Sequence, residues 1–404
     1  MKRITAVILL IFLIIPFVCA CKSQNNETIT PNINDKDSNE KEEETVQKIY
    51  IDYEAKQKIG LYDIKDKLLV NGRCSFTEEK GLQCYWSNSG FEIGGWFKGQ
   101  FKIYFSLDLT KTPVNFCIVV DGEQENPKYV TLNENLSAIT LPNLPRGYHT
   151  IAIYKVDEGS RNHAYFNAIE FYGKLDDEPL EKSLKIETIG DSISAGLGIK
   201  SPQGLDDDAF CSYTAKIARN LNAQSSVLAI GGWGLSCGVT NYDKVMPKIF
   251  DFVCSVQGNR NEWDFENNQV DVVILNLGTN DWLQYHDKDR TELHKAANAF
   301  LDKLRSVYPD AVIYWTYGMM NTDFVEDFKN IIANKNDEKI KFVDVFVNSS
   351  GLGGHPDNYA HQEYAKIIEK VIREDLNYEE GILDIQKTIR EKNKLVTTIK
   401  PKEE

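Results

Sequence analysis

Four short stretches hold residue types that can do acyl chemistry. The first is Gly190-Asp191-Ser192, closing the apolar run "KIETI". A serine at a strand-to-helix turn exposes its hydroxyl and sets its own N–H at an anion site. It can equally be a helix N-cap. The second is "AIGGWGLSCG", where Gly232 can turn a backbone N–H toward a developing oxyanion or make an ordinary glycine turn. The third is Gly278-Thr279-Asn280-Asp281, closing "VDVVILNL". Asn280 can add a side-chain amide donor or form an Asx turn. The fourth is "GLGGHPDNYAH", which puts His355 on a glycine-rich loop before a helical stretch. An imidazole there can take a serine proton and return it to a leaving alcohol. The chemistry written in these residues is nucleophilic attack on a carbonyl. It needs no metal and no cofactor, and the cysteines and histidines form no metal-ligand spacing.

The elements that must position these residues follow from texture. From Leu184 onward, near-continuous apolar strands such as "VDVVILNLG" alternate with helical stretches such as "LHKAANAFLDKLRSVYP". That alternation predicts an α/β domain over 184–377, with a central parallel sheet between helical layers. In such a sheet, ligands sit beyond the carboxyl ends of the strands. Three of the four stretches end strands, and the fourth precedes the last long helix.

Residues 49–173 read differently. "QFKIYFSLDL", "VNFCIVVDG" and "HTIAIYKV" are rich in β-branched and aromatic residues, and turn chemistry separates them. They predict an all-β sandwich of jelly-roll type. "KLDDEPLEKS", 174–183, reads as a linker. Residues 378–404 are charged and predict a tail, either an extra helix or a frayed end.

The N-terminus carries an address. Lys2 and Arg3 precede "ITAVILLIFLIIPFV" and then Val18-Cys19-Ala20-Cys21. A basic start, an apolar run and small residues before a cut describe a secretory signal over 1–21. Cys21 sits where a bacterial lipobox places its lipidated cysteine; a plain signal peptide is the alternative. The expected location is the cell envelope, with a lipid at Cys21 as the only membrane contact, or else free secretion. Residues 22–48 hold too few apolar side chains to offset chain entropy and read as a disordered tether. Cys74, Cys84, Cys117, Cys211, Cys237 and Cys254 remain, as disulfides or as free thiols, with Cys74 and Cys84 the first candidates for pairing. The net charge of −14 argues against nucleic acid and anionic lipid as partners of the folded body.

Taken in order, Gly-Asp-Ser, glycine, Gly-x-Asn-Asp and His resemble the blocks of the SGNH (GDSL) hydrolases across Leu184 to Asn377. "VNGRCSF", "CYWSNSGFEIGGWFKGQ" and "VVDGE" are similar to the N-terminal pattern of carbohydrate esterase family two, and "IETIGDSISAGLG" and "HPDNYAH" to its serine and histidine blocks. The resemblance implies that Ser192 is the nucleophile and His355 the base. It implies an oxyanion hole from the Ser192 and Gly232 N–H groups and the Asn280 amide. It implies release of acetyl groups from oligo- or polysaccharides such as xylan or glucomannan. The family usually has an aspartate two or three residues before the histidine, where this chain has Gly353 and Leu352. A Ser–His dyad is therefore expected, with a backbone carbonyl or distant group orienting His355; Asp357 is the lesser alternative. Trp233 and Trp282 are candidate sugar-stacking residues, or else packing residues. Asp281 is expected to hold its loop. The alternatives are a lipase- or thioesterase-type enzyme on a longer acyl chain, and a carbohydrate-binding lipoprotein with a decayed site.

Overall fold

The computed structural model describes residues 48–107, 113–133 and 138–397. The leader, Cys21 and nearly all of the tether lie outside the described residues.

The β-rich part is one hydrogen-bonded network of antiparallel strands. Three long strands carry it: Gly90–Gly99, Leu144–Lys155 and Ala164–Leu175. A register shift between Phe166 and Ala168 bends the last of these. Its body pairs with Lys102–Leu107, and its end, 173–175, pairs with the 90–99 strand. Phe91, Phe97, Phe101, Phe116, Phe166 and Phe171 fill the core at edge-to-face and stacked contacts. Strand 90–99 is buried along nearly its whole length rather than on alternate residues. Its outer face is covered at Glu92 by Asn71, Tyr154 and Lys182, and at Trp96 by Tyr148 and a C-terminal segment.

That covering segment is the charged tail. Residues Ile382–Lys394 form a helix whose Ile389 packs with Trp96 and Tyr148. Asn393 Oδ1 accepts from the Tyr148 N–H at 2.8 Å, and Lys392 Nζ lies 2.6 Å from Asp176 Oδ2. Val396–Thr397 then pairs in parallel with Ile49–Tyr50. The "linker" is likewise packed down, with Lys182 in a buried ion pair with Glu92.

The second half is a five-stranded parallel sheet. Its order is 224–229, 185–190, 272–276, 312–317, 340–344. Alternate residues face opposite layers. Val272 and Ile274 meet helices Tyr213–Asn220 and Asn358–Leu376, whereas Val273 and Leu275 meet helices Thr291–Val307 and Val325–Lys335. Two covered faces explain why "VVIL" is continuously apolar. All five strands end at one edge, so the loops after Gly190, Ala229 and Asn276 converge there.

The two halves share a seam built around Arg73, which is fully buried. Its Nε and Nη2 donate to the two Glu187 carboxylate oxygens at 3.0 Å each. Nη1 donates to the carbonyls of Phe250 and Phe252, and Tyr308 Oη–H donates to Glu187 Oε2 at 2.7 Å. Phe250, Trp263 and Phe265 ring the guanidinium at 4.8–5.2 Å. Gly72 N–H also donates to Ser225 O at 2.7 Å, and Trp86 Nε1–H to Val253 O at 2.7 Å. Breaking one partner of a buried pair leaves an uncompensated charge, so Arg73→Ala should cost about 3–5 kcal/mol in denaturant unfolding. Replacing both partners (Arg73→Met with Glu187→Gln) should cost less than that single change.

Candidate active site

Strand 185–190 ends at Gly190, and the chain coils into tight turns rather than a helix. Leu197 N–H donates to Ser192 O at 3.0 Å and Ala195 N–H to Asp191 O at 3.1 Å. Ser192 does not cap a helix; that role falls to Ser212 for helix 213–220. Its hydroxyl instead lies 2.8 Å from His355 Nε2. The small residues that follow have a packing reason. Gly198 sits at φ +69°, where a Cβ would stand 2.5 Å from Leu352 O and 2.9 Å from His355 Cβ. Only glycine lets this turn and the histidine loop approach so closely. Leu352 N–H donates to Gly198 O at 2.9 Å and Asn358 N–H to Ile199 O at 2.9 Å.

The histidine is oriented by backbone. His355 Nδ1 lies 3.3 Å from the Leu352 carbonyl. A carbonyl only accepts, so Nδ1 carries the ring proton and Nε2 is left as the acceptor for the Ser192 hydroxyl. Asp357 is engaged elsewhere. It caps helix 358–376, accepting from the Ala360 N–H at 2.9 Å and from the Ser349 hydroxyl.

Three donors stand around the serine. Trp233 N–H closes a turn onto Ile230 O with Gly231 and Gly232 at its centre, and Gly232 has φ +78°. Positive φ at the second central residue is the type II arrangement that favours glycine. Among the described residues, neither the Ser192 nor the Gly232 N–H is taken by another protein group. Asn280 reaches the same cavity, but its Nδ2 already donates to Trp233 O at 2.8 Å and to Asp191 Oδ2 at 3.2 Å. Asp281 accepts from three consecutive N–H groups, Leu235, Ser236 and Cys237, at 2.7–3.0 Å. It ties the Asn280 loop to the Gly232 loop, the holding role expected of it. Burial raises its carboxyl above the usual range, against the pull of those N–H groups. Asp191 is fully buried, and burial, with the Asp281 charge adding, pushes its carboxyl up to about 7.

The cavity holds about 560 Å³. Trp282 lines it, with one ring face stacked on His286 at 4.1 Å. Trp233 does not line it: the turn that presents Gly231 and Gly232 sends the indole against the main apolar core. Sequence reading missed Glu158, which enters this cavity from the β-rich half. The carboxylate stands in ordinary turn chemistry, "VDEGSRN", and no local signal marks it. The six cysteines are free thiols, with Cys74 and Cys84 Sγ 3.8 Å apart.

Two outcomes follow from this geometry. Asp357→Ala should lower stability by about 1 kcal/mol as a lost cap. It should leave kcat within about tenfold, whereas removing a triad carboxylate costs on the order of 10,000-fold. Asp191 binds its proton more tightly folded than unfolded. The stability it contributes is therefore full below its unfolded value of about 3.9 and is lost as pH rises through about 7. Denaturation from pH 4 to 8 should show wild type losing stability relative to Asp191→Asn across that window.

Comparison with known proteins bears on the same residues. Residues 188–382 match the GDSL-like lipase/acylhydrolase family, and residues 70–179 match the carbohydrate esterase 2 N-terminal family. The chain is 30% identical over 337 residues to a cellulase/esterase, CelE, of Acetivibrio thermocellus, covering 77% of this chain and 40% of that protein. It is 26% identical over 216 residues to an acetylxylan esterase / glucomannan deacetylase of Cellvibrio japonicus, covering 51% and 60%. The chain thus spans less than two thirds of either curated relative. A family two carbohydrate esterase from Clostridium thermocellum, solved in complex with cellohexaose, superposes with TM-score 0.68 at 28% identity, covering 77% of this chain and 100% of that one. The chain joins a carbohydrate esterase 2 N-terminal domain to a GDSL-like lipase/acylhydrolase domain, the architecture of the family two carbohydrate esterases.

Proposed function

We propose that the protein is a serine esterase that removes acetyl groups from cell-wall polysaccharides such as xylan or glucomannan. The observation that carries this is the 2.8 Å contact between Ser192 Oγ and His355 Nε2, beside two N–H groups with no partner among the described residues. In the first step Ser192 Oγ attacks the ester carbonyl carbon and its proton passes to His355 Nε2. The carbonyl oxygen becomes an oxyanion held by the Ser192 and Gly232 N–H groups. Asn280 adds the amide hydrogen that Asp191 Oδ2 holds at 3.2 Å, the longer of its two bonds. Collapse breaks the bond to the sugar oxygen, and His355 protonates that leaving alcohol. A water, deprotonated by His355, then attacks the acyl-serine, and acetate leaves with Ser192 restored. The Leu352 carbonyl keeps the ring turned through both half-reactions, so the pair works as a dyad.

The glycan preference rests on the cavity's rim. Exposed Val239 and Met320 line the cavity together with Trp282. Aromatic and aliphatic faces there suit the apolar faces of sugar rings. The relatives' activities, and the cellohexaose in the structural relative, point the same way. The basic-apolar leader ending at Cys21 supports an exported, lipid-anchored form with 22–48 as tether, and the antiparallel strands of the N-terminal domain support a jelly roll.

The test is acetate release from acetylated xylan and glucomannan, with 4-nitrophenyl esters of increasing chain length alongside. Ser192→Ala should lose at least about 1,000-fold in kcat, and acetyl esters should be turned over faster than octanoyl esters. A Ser192→Ala protein as active as wild type overturns the assignment. Faster octanoyl turnover moves it to a lipase-type enzyme.

A further inference from the structure

The β-rich half does more than wall the cavity. Strand 144–155 ends in Lys155, which is fully buried and donates from Nζ to the carbonyls of Asp157 and Glu158 at 3.0 and 2.8 Å. An ammonium held by two successive carbonyls clamps the 155–158 turn in one conformation. The turn points Glu158, only 8% exposed, into the cavity that holds Ser192 and His355. There Glu158 Oε2 accepts from the Gly231 N–H at 2.9 Å. Its other oxygen accepts from the Ser160 hydroxyl, with Arg161 Nε at 4.0 Å. The same turn braces the opposite wall. Arg161 Nη2 lies 2.8 Å from Asp207 Oδ2, and Asp207 Oδ1 accepts from the N–H of Gly198, the residue packed against His355.

We propose that Glu158 is a positioning residue of the esterase: from the other domain it fixes the Gly231 N–H, and through the next peptide it aims the Gly232 N–H at the oxyanion. This rests on the esterase reading above. Gly231 and Gly232 are the two central residues of one turn, and glycines have little intrinsic preference to hold it. Sheet ladders fix the backbone up to Ala229. Asp281 fixes it again from Leu235 onward. Between those anchors the Val239 N–H holds Gly232 O at 3.0 Å and the Asn280 amide holds Trp233 O at 2.8 Å, both on the far side of the donor, and the Glu158 bond is the external tie on the peptide preceding it. A charge-assisted bond of this kind is among the stronger ones available to a backbone N–H. Loss of the tie lets the donor wander, and an oxyanion donor misplaced by about 1 Å loses most of its effect. The substrate's ground state makes little use of that donor, so the loss falls on kcat.

The test is steady-state kinetics on 4-nitrophenyl acetate for wild type, Glu158→Ala, Glu158→Asp and Glu158→Gln, with thermal unfolding of each. The glutamine amide oxygen can still accept from the Gly231 N–H, whereas the aspartate keeps the charge but loses reach. The expected result is a fall in kcat of about 10- to 100-fold for Ala and Asp, with KM within about twofold. Gln should hold kcat within about threefold of wild type. Should Ala fail to fold, Asp against Gln still decides between reach and charge. Full kcat in Asp or Ala overturns the proposal. So does a Gln variant as impaired as the other two, and so does a loss expressed only in KM. A wild type inactive on every ester tried overturns the esterase reading and this inference with it, whereas an active wild type with an equally active Asp variant overturns this inference alone.

Discussion

The buried pair of Arg73 and Glu187 is the constraint on which the rest depends. A guanidinium and a carboxylate with no solvent exposure are tolerable only when every donor and acceptor is met. Here two Arg73–Glu187 bonds, two carbonyls, a tyrosine hydroxyl and three aromatic rings do so. Partial assembly of that shell would strand a buried charge. Glu187 stands on the strand that runs directly into Ser192. The β-rich half therefore grips the strand that leads to Ser192, the proposed nucleophile, five residues before it.

From that grip follows the composition of the catalytic edge. Two of the loops at this edge, those of Gly232 and His355, are braced by residues outside them. Asp281 draws the Gly232 loop inward through three N–H groups, and Glu158 meets it from across the seam. Gly198 gives the histidine loop a seat that any side chain would occupy. The orienting partner of His355 is a backbone carbonyl, which holds the tautomer through a dipole rather than a full charge. Such a partner stabilises the imidazolium less than a carboxylate does. In the proposed reaction the oxyanion donors then carry more of the stabilisation, which makes the aim of the Gly232 N–H matter more.

Asp191 adds a second strain on the same edge. It is fully buried, next to Asp281, and carries one of the two bonds of the Asn280 amide. Two carboxyls so close in a dry setting disfavour joint ionisation. Burial raises both carboxyls, and the three N–H groups on Asp281 pull its own back down.

Local chemistry wrote much of this protein into its sequence. Continuous apolar runs alternating with helical periods dictate a parallel sheet covered on both faces, and a parallel sheet dictates which strand ends carry ligands. Hence Ser192, Gly232, Asn280 and the loop of His355 could be placed on one edge from their positions in the chain. The holding role of Asp281 was legible as well, because a buried acid after a strand end must find N–H groups nearby. Other features were settled only by contacts between residues far apart in the chain. Trp233 lies half-buried against the core, because the turn beside it set its direction. The charged tail is a helix docked by Ile389 on Trp96 and Tyr148, rings that lie more than 200 residues upstream. Glu158 entered the cavity because the seam brought its turn there, and a glutamate in a turn carries no mark of that. Periodicity and turn chemistry act within a few residues and can be read from sequence; burial between domains acts through space and exists only once both domains have folded.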